Sequence, residues 1–331
     1  MLPNLIKTKN TLNKTLTIIL LSCLAVTIFG IYQFLGDMIG LPIEATGLRQ
    51  HYTQEVFGFP RIQSTALEPL YFANYLLIPI SIGIAIILGR RKKKEKLPLN
   101  LFWIFLVTGL ACINLILTLS RGGFLGLLIV LLLSAILFIK TILRPQKLVI
   151  IIILGAIAIT SAFQFLKFTG DDENIDTFIE QATTYKEGVG VEERFSTYDQ
   201  AIELIKDHPI IGNGIGNFGP HTNRSPHHMP TEGWAIVNNE FLELWAEIGI
   251  LGLASFVAII LIIILRTIKS ISLGKDPYLK TILLGLLIAF LGIMAQYQTF
   301  SILYILHIWF LVGLIVATQN ILFKQKQEPI N

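Results

Sequence analysis

Eight apolar runs dominate the pattern of hydrophobic and polar positions along the chain. They cover approximately residues 16–35, 70–89, 98–118, 122–139, 148–166, 248–265, 279–297 and 301–318. A helix needs about 20 apolar residues to cross a hydrocarbon core of roughly 30 Å, and each run comes close to that length. Stretches such as LLIVLLLSAILFI and LVIIIILGAIAI are apolar on every side, which suits contact with lipid. Lysines precede the first run, as in a signal peptide. The run is about 20 residues long with no A-x-A-like site after it, so it reads as a retained helix.

Residues 167–247 follow another pattern. In ERFSTYDQAIELIKDHP, Phe195, Tyr198, Ile202 and Ile205 recur at helical spacing until His208-Pro209 stops the run. In NEFLELWAEIGI, Phe241, Leu244, Trp245 and Ile248 form one face, and Glu240, Glu243 and Glu247 the other. Both segments read as amphipathic helices lying on the membrane surface or packed over the bundle. Between them, HPIIGNGIGNFGPH (208–221) opens a Pro- and Gly-rich loop without periodicity. The expected organisation is therefore helices 1–5 within 1–166, a large loop at 167–247, and helices 6–8 with a tail within 248–331. The fold class is an all-α polytopic membrane protein with about eight transmembrane helices.

Composition points the same way. The 331 residues are 53% hydrophobic and only 15% charged, against roughly 25% charged in a soluble domain. Cys23 and Cys112 both lie in apolar runs and form no disulfide or metal framework. Charge then orients the chain. Lys7, Lys9, Lys14, the cluster RRKKKEK (90–96), Lys140, Arg144, Lys147, Arg266, Lys269, Lys275, Lys280, Lys324 and Lys326 fall on one side if the helices alternate. That side holds 18 of 26 Lys and Arg against 3 of 22 Asp and Glu. The positive-inside rule makes it cytoplasmic, with both termini there and the segments 36–69 and 167–247 outside.

Candidate chemistry lies outside too. The glycine-rich run lacks the GK[ST] ending of a P-loop and follows no strand, so a nucleotide site is a poor reading. External arginines are few: Arg49, Arg61, Arg121, Arg194 and Arg224. Arg121, in LTLSRGGFLGLL, sits where two membrane helices meet almost without a loop. A charge at such a place calls for an anionic partner, and Ser120 with Gly122 and Gly123 leaves room for one. Arg61 precedes the second helix. Arg194 opens an amphipathic helix, where helix stability alone disfavours a cation. Arginine suits bidentate phosphate recognition, and backbone N–H groups around Gly212, Gly214 and Gly216 would add to the site. A lipid-linked phosphate or pyrophosphate fits these features, with its tail in the bilayer. The plain alternatives are a snorkelling Arg121, an Arg61–Glu68 surface pair and glycines present only for a tight turn. His221, His227 and His228 offer a general base better than a metal site, and solvated loop histidines are the plain reading. His307 is expected inside the eighth helix, where it is either functional or a neutral partner for a neighbouring helix.

Three stretches resemble the O-antigen ligase and Wzy-type polymerase superfamily of bacterial membrane glycosyltransferases. They are LTLSRGGFLGLLIVLLL, ERFSTYDQAIELIKDHPIIGNGIGNF and VNNEFLELWAEIGILGL, and RIQSTALEPLYFANYLLIP resembles the upstream Arg-led element. The resemblance implies a GT-C-like fold in the cytoplasmic membrane and a substrate glycan on undecaprenyl pyrophosphate. It implies metal- and cofactor-free transfer of that glycan to a hydroxyl on a glycan, lipid or protein acceptor. It implies Arg121, Arg194 and Arg61 as pyrophosphate holders, with Gly212, Gly214, Gly216 and Asn239 shaping the wall. Ligases of the family carry histidine where this chain has Asn238, so Glu240, Glu232 or His221 takes the base role, or the chain is polymerase-like. The family usually has more helices, which implies missing N-terminal helices or a partner subunit. Two other classes compete: a non-catalytic binder of polyprenyl-linked glycan, and a transporter of lipid-linked sugars. The scarcity of ionisable residues at membrane depth argues against the transporter. No nucleic-acid partner is expected.

Overall fold

The computed structural model describes residues 2–49, 59–89, 95–143, 189–223 and 234–327. Every regular element among them is helical: α1 (Leu2–Leu5), α2 (Lys9–Met38), α3 (Ile43–Thr46), α4 (Pro69–Gly89), α5 (Leu101–Leu117), α6 (Arg121–Leu137), α7 (Ile139–Ile142), α8 (Val189–Asp207), α9 (Phe218–Thr222), α10 (Glu240–Leu273), α11 (Pro277–Gln296) and α12 (Leu306–Gln327). Five of them, α2, α4, α10, α11 and α12, are long and apolar enough to cross a membrane. Two shorter apolar helices, α5 and α6, coincide with two more of the eight expected runs. Helices α5 and α6 have 17 residues each, about 25 Å at 1.5 Å per residue, and the run at 148–166 lies outside the described residues.

The bundle is built around α11 and α4, which are largely buried, while α2 and α10 show most of their apolar side chains to the surroundings. Glycines let the central helices approach closely, the usual device where no hydrophobic effect drives helices together in lipid. A Cβ on Gly285 of α11 would meet Ala85 Cβ of α4 at 2.7 Å, and one on Gly292 would meet Val130 Cγ2 of α6 at 2.7 Å. Hydroxyls inside the bundle bond back to their own helix, as Thr27 to the Cys23 carbonyl and Ser81 to that of Leu77. One end of the bundle is basic and tied by Lys9–Asp276 (2.6 Å), by the Tyr278 hydroxyl to Asn13 Oδ1 (2.6 Å), and by Asn13 Nδ2 to the Lys96 carbonyl (3.0 Å). The other end carries the connecting loops.

Two sequence expectations change at that loop end. The eighth apolar run begins as a non-helical turn: residues 301–305 are not helical, and α12 starts at Leu306, which puts His307 in its first turn. The acidic amphipathic segment and the sixth run form one helix, α10, broken at Gly249 (φ 68°, ψ −176°). The part of α10 from Gly249 to Leu273, about 37 Å at 1.5 Å per residue, is by itself long enough to cross a hydrocarbon core of roughly 30 Å without residues 240–248.

Candidate functional site

The turn after α11 is the centre of the loop end. Tyr297, Phe300 and Ile302 are buried although none is helical. Buried backbone N–H and C=O groups need partners, and an unmade bond costs about 1–3 kcal/mol. The first turn of α10 supplies them. Glu240, only 3% exposed, receives the Ile302 N–H (2.7 Å) and the Leu303 N–H (3.0 Å) on Oε2, while its own N–H donates to the Tyr297 carbonyl (2.9 Å). Burial pushes the Glu240 carboxyl up to about 7; Glu243 raises it further and the two N–H donors pull the other way.

Glu240 belongs to a stripe. Glu243, one turn on, accepts the Val237 N–H at 2.8 Å, and Glu247 accepts the Phe218 N–H at 3.2 Å. Burial raises the Glu243 carboxyl as well. The three glutamates expected on a polar face thus hold three separate segments: the turn 297–303, the non-helical entry to α10, and α9. The expected apolar face of α8 is also rotated. Ala201 and Ile205 are buried with Tyr198 packed beside them, whereas Phe195 and Ile202 are 62% and 43% exposed. Helix α8 docks through Thr197, whose hydroxyl donates to the Val237 carbonyl (2.9 Å). The Tyr198 hydroxyl lies 3.3 Å from the Asn238 carbonyl and 3.2 Å from that of Gln298.

Asn238 and Asn239 sit where these ties meet. Asn238 is in the left-handed region (φ 59°), a conformation asparagine tolerates better than most residues. Asn239 caps α10 by accepting the Phe241 and Leu242 N–H groups (3.1 Å each), and its Nδ2 donates to Gln298 Oε1 (3.3 Å).

The α5–α6 junction reaches the same turn from the other side. Only Thr118, Leu119 (φ 46°) and Ser120 separate the helices, and Ser120 caps α6 by accepting the Gly123 N–H (3.2 Å). Arg121 is the first residue of α6 and is exposed. Arg61 comes to this junction: its Nε donates to the Thr118 carbonyl (3.3 Å), beside an Ile62 N–H to Leu117 carbonyl bond (3.3 Å). The glycines next to Arg121 do not leave space for a ligand. A Cβ on Gly122 would collide with Thr299 Oγ1, and one on Gly123 would meet Ala73 Cβ at 2.6 Å. Their smallness serves helix contact and brings the arginine junction against the 297–303 turn.

The glycine-rich loop has a comparable local explanation. The N–H groups of Gly212, Asn213 and Gly214 donate to the carbonyls of His208 (2.9 Å), Ala246 (3.0 Å) and Glu247 (2.8 Å), and Ile250 N–H donates to the Pro209 carbonyl (3.0 Å). The loop is clamped onto the break in α10, and those three donors are engaged within the protein. Gly216 has open space around its Cα. Arg194 lies one turn before Tyr198 on α8; its side chain, like Glu232, His227, His228 and Arg224, lies outside what the structure describes. His221 is exposed on α9. Among the described residues no three His, Cys, Asp or Glu side chains group as a metal site.

The gap between the apolar runs 279–297 and 301–318 marks the turn in the sequence, but not the anchoring roles of Glu243, Glu247 and Tyr198, nor a buried polar chain behind the turn. His307 Nε2 lies 2.6 Å from Asn74 Oδ1, and Asn74 Nδ2 donates to Gln296 Oε1 (2.9 Å). The assignment that pairs all these atoms has His307 donating from Nε2. His307 also borders a cavity of about 460 Å³ walled by Tyr71, Tyr75, Tyr304, Leu67 and Val26. The polar run QYQTFS between two apolar segments was the available signal.

The molecule is a helical membrane protein whose loop end gathers two arginine-bearing elements and an acid-tied turn. Residues 106–257, a little under half of the chain, match the family model described as O-Antigen ligase; Arg121, Arg194, Asn238 and Glu240 lie within the match. A protein of Haemophilus influenzae described as an uncharacterized protein is 26% identical over 162 residues, which cover 46% of this chain and 40% of that protein.

Proposed function

We propose that the protein transfers a glycan from undecaprenyl pyrophosphate to an acceptor hydroxyl, with its loop end on the outer face of the cytoplasmic membrane and its basic end in the cytoplasm. The observation that carries this reading is the meeting of the Arg61–Arg121 junction and the Asn238–Glu240 turn on residues 297–303. The bond from the sugar C1 to the pyrophosphate oxygen breaks, and a bond from C1 to the acceptor oxygen forms. Negative charge grows on the leaving pyrophosphate, and fixed cations nearby stabilise it. Arg121 at the start of α6, Arg61 beside it and Arg194 on α8 take that role. The 18-to-3 excess of basic residues on the other side supports the orientation.

Asn238 has no basic group for the acceptor proton. Glu240 is enclosed, with one oxygen engaged by two N–H groups, so in this reading it positions the turn. Glu232 and His221 are the chain's candidates for the proton. The cavity beside His307, with aromatic walls and a polar rim, offers a place for part of the substrate. Reconstitution of the purified chain in liposomes with a polyprenyl-pyrophosphate-linked glycan tests the reading. A ladder of lengthened glycans marks a polymerase and one discrete product on an added acceptor a ligase. Consumption that persists in Arg121→Ala and Arg61→Ala proteins would contradict the proposed role of the junction.

A further inference from the structure

The basic end holds a second built pocket, far from the loop end. It has a volume of about 350 Å³, and three cationic side chains from three segments line it: Lys7 after α1, Arg266 on α10 and Lys324 on α12. Asn4 and Asn320 contribute amides, Ile6 and Phe323 apolar wall, and no acid lines it. Arg266 is half-buried and held from two sides. Its Nη2 donates to Asn320 Oδ1, and its guanidinium carbon lies 5.7 Å from the centroid of the Phe323 ring. A planar guanidinium fixed in this way loses little freedom on meeting a phosphate and presents its remaining N–H groups as a fork.

Depth identifies the ligand. Arg266 lies about 17 residues past the Gly249 break, or about 26 Å along the helix, close to the far boundary of a hydrocarbon core of roughly 30 Å. The pocket therefore opens at headgroup level. Just before it, α10 exposes Ile262 (59%) and Leu265 (65%), apolar surface suited to acyl chains. Basic residues that only orient a chain need no common pocket. Lys269, for instance, is exposed on the same helix and does not line this one.

We propose that this pocket binds the phosphate of an anionic phospholipid of the surrounding leaflet, with the phosphate between Lys7, Arg266 and Lys324 and the acyl chains along α10. Pockets of this composition between membrane helices recognise such headgroups. The inference does not depend on the transfer reaction or on which leaflet is cytoplasmic.

The test uses the full chain purified in neutral detergent, with bound lipid counted by native mass spectrometry. Phosphatidylglycerol is titrated against phosphatidylcholine, and glycerol 1-phosphate and inorganic phosphate serve as soluble competitors. Wild-type protein is expected to hold phosphatidylglycerol at least tenfold more tightly than phosphatidylcholine. The double substitution Arg266→Gln, Lys324→Gln is expected to weaken it about tenfold or more, and Lys269→Gln to change it less than twofold. If the double variant does not fold, Lys7→Gln alone is expected to weaken binding severalfold. Equal binding of the two lipids, an equal effect of Lys269→Gln, or unchanged binding in the pocket variants would overturn the proposal. Displacement of the lipid by either soluble phosphate at matching concentration would assign the pocket to free phosphate, and would equally overturn it.

Discussion

Replacing Gly249 by alanine should detach the glycine-rich loop from α10. At φ 68° and ψ −176° the residue occupies a region essentially restricted to glycine, and an L-residue there costs about 1–3 kcal/mol. The added Cβ would also collide with the Ile210 carbonyl oxygen and lie 2.6 Å from the Ile211 nitrogen. The loop has to retreat to relieve this contact. That loosens the Ile250 to Pro209 and Gly214 to Glu247 hydrogen bonds, at about 1 kcal/mol each. The sum is about 3–5 kcal/mol, roughly a hundredfold to a few thousandfold in the opening equilibrium of the loop. Hydrogen–deuterium exchange at the amides of Asn213, Gly214 and Ile250, in detergent, reads that equilibrium. Gly216→Ala is the matched control. Its φ is 73° but nothing lies within 4 Å of the added Cβ, so only a backbone cost of about 1–2 kcal/mol is expected. Protection in Gly249→Ala within twofold of wild type, or an equal loss in Gly216→Ala, would refute the clamp.

Glu240→Ala leaves the Ile302 and Leu303 N–H groups without their acceptor, at about 1–3 kcal/mol for each group not rehydrated, and should increase proteolysis between α11 and α12. Glu240 also gives the turn a pH dependence. Its carboxyl titrates near 7 in the folded protein and near 4.5 when the turn is open, so the closed turn binds the extra proton. Closure is then favoured at pH 4.5 and below, weakens by at most about 3 kcal/mol as pH rises to 7, and is level above that. Exchange protection at Ile302 should follow this course in wild type and lose the slope in Glu240→Gln. Gly292→Leu should separate α11 from α6, where a Cβ alone already meets Val130 Cγ2 at 2.7 Å. That change should lower the thermal midpoint by several degrees in a detergent melt, more than Gly109→Leu, where nothing lies within 4 Å.

Much of this was legible in the sequence because lipid imposes a coarse rule: a run of about 20 apolar residues reads as a crossing whatever it packs against. Five long helices followed from that rule, as did the abrupt α5–α6 junction, while His208-Pro209 marked the end of α8. What escaped depends on tertiary partners. Residues 301–305 are apolar and read as helix, yet their backbone bonds to Glu240 instead. Helical periodicity runs unbroken through AEIGILG, so the break at Gly249 shows only in the carbonyls that the 209–214 loop presents to it. The acidic stripe Glu240, Glu243 and Glu247 read as the polar face of an amphipathic helix, because a sequence does not reveal that three segments return to it with backbone donors. Gly122 and Gly123 read as room for a ligand, where Thr299 and Ala73 fill the space.

The central claim is that the arginine junction at the loop end stabilises a leaving pyrophosphate. The most direct measurement is the rate of undecaprenyl pyrophosphate release in proteoliposomes loaded with the glycan-bearing lipid, comparing wild type with Arg121→Ala at matched insertion. The account predicts a fall of about a hundredfold or more, the size expected when a fixed donor to a developing anion is removed. An unchanged release rate, with the protein inserted and folded, would contradict it.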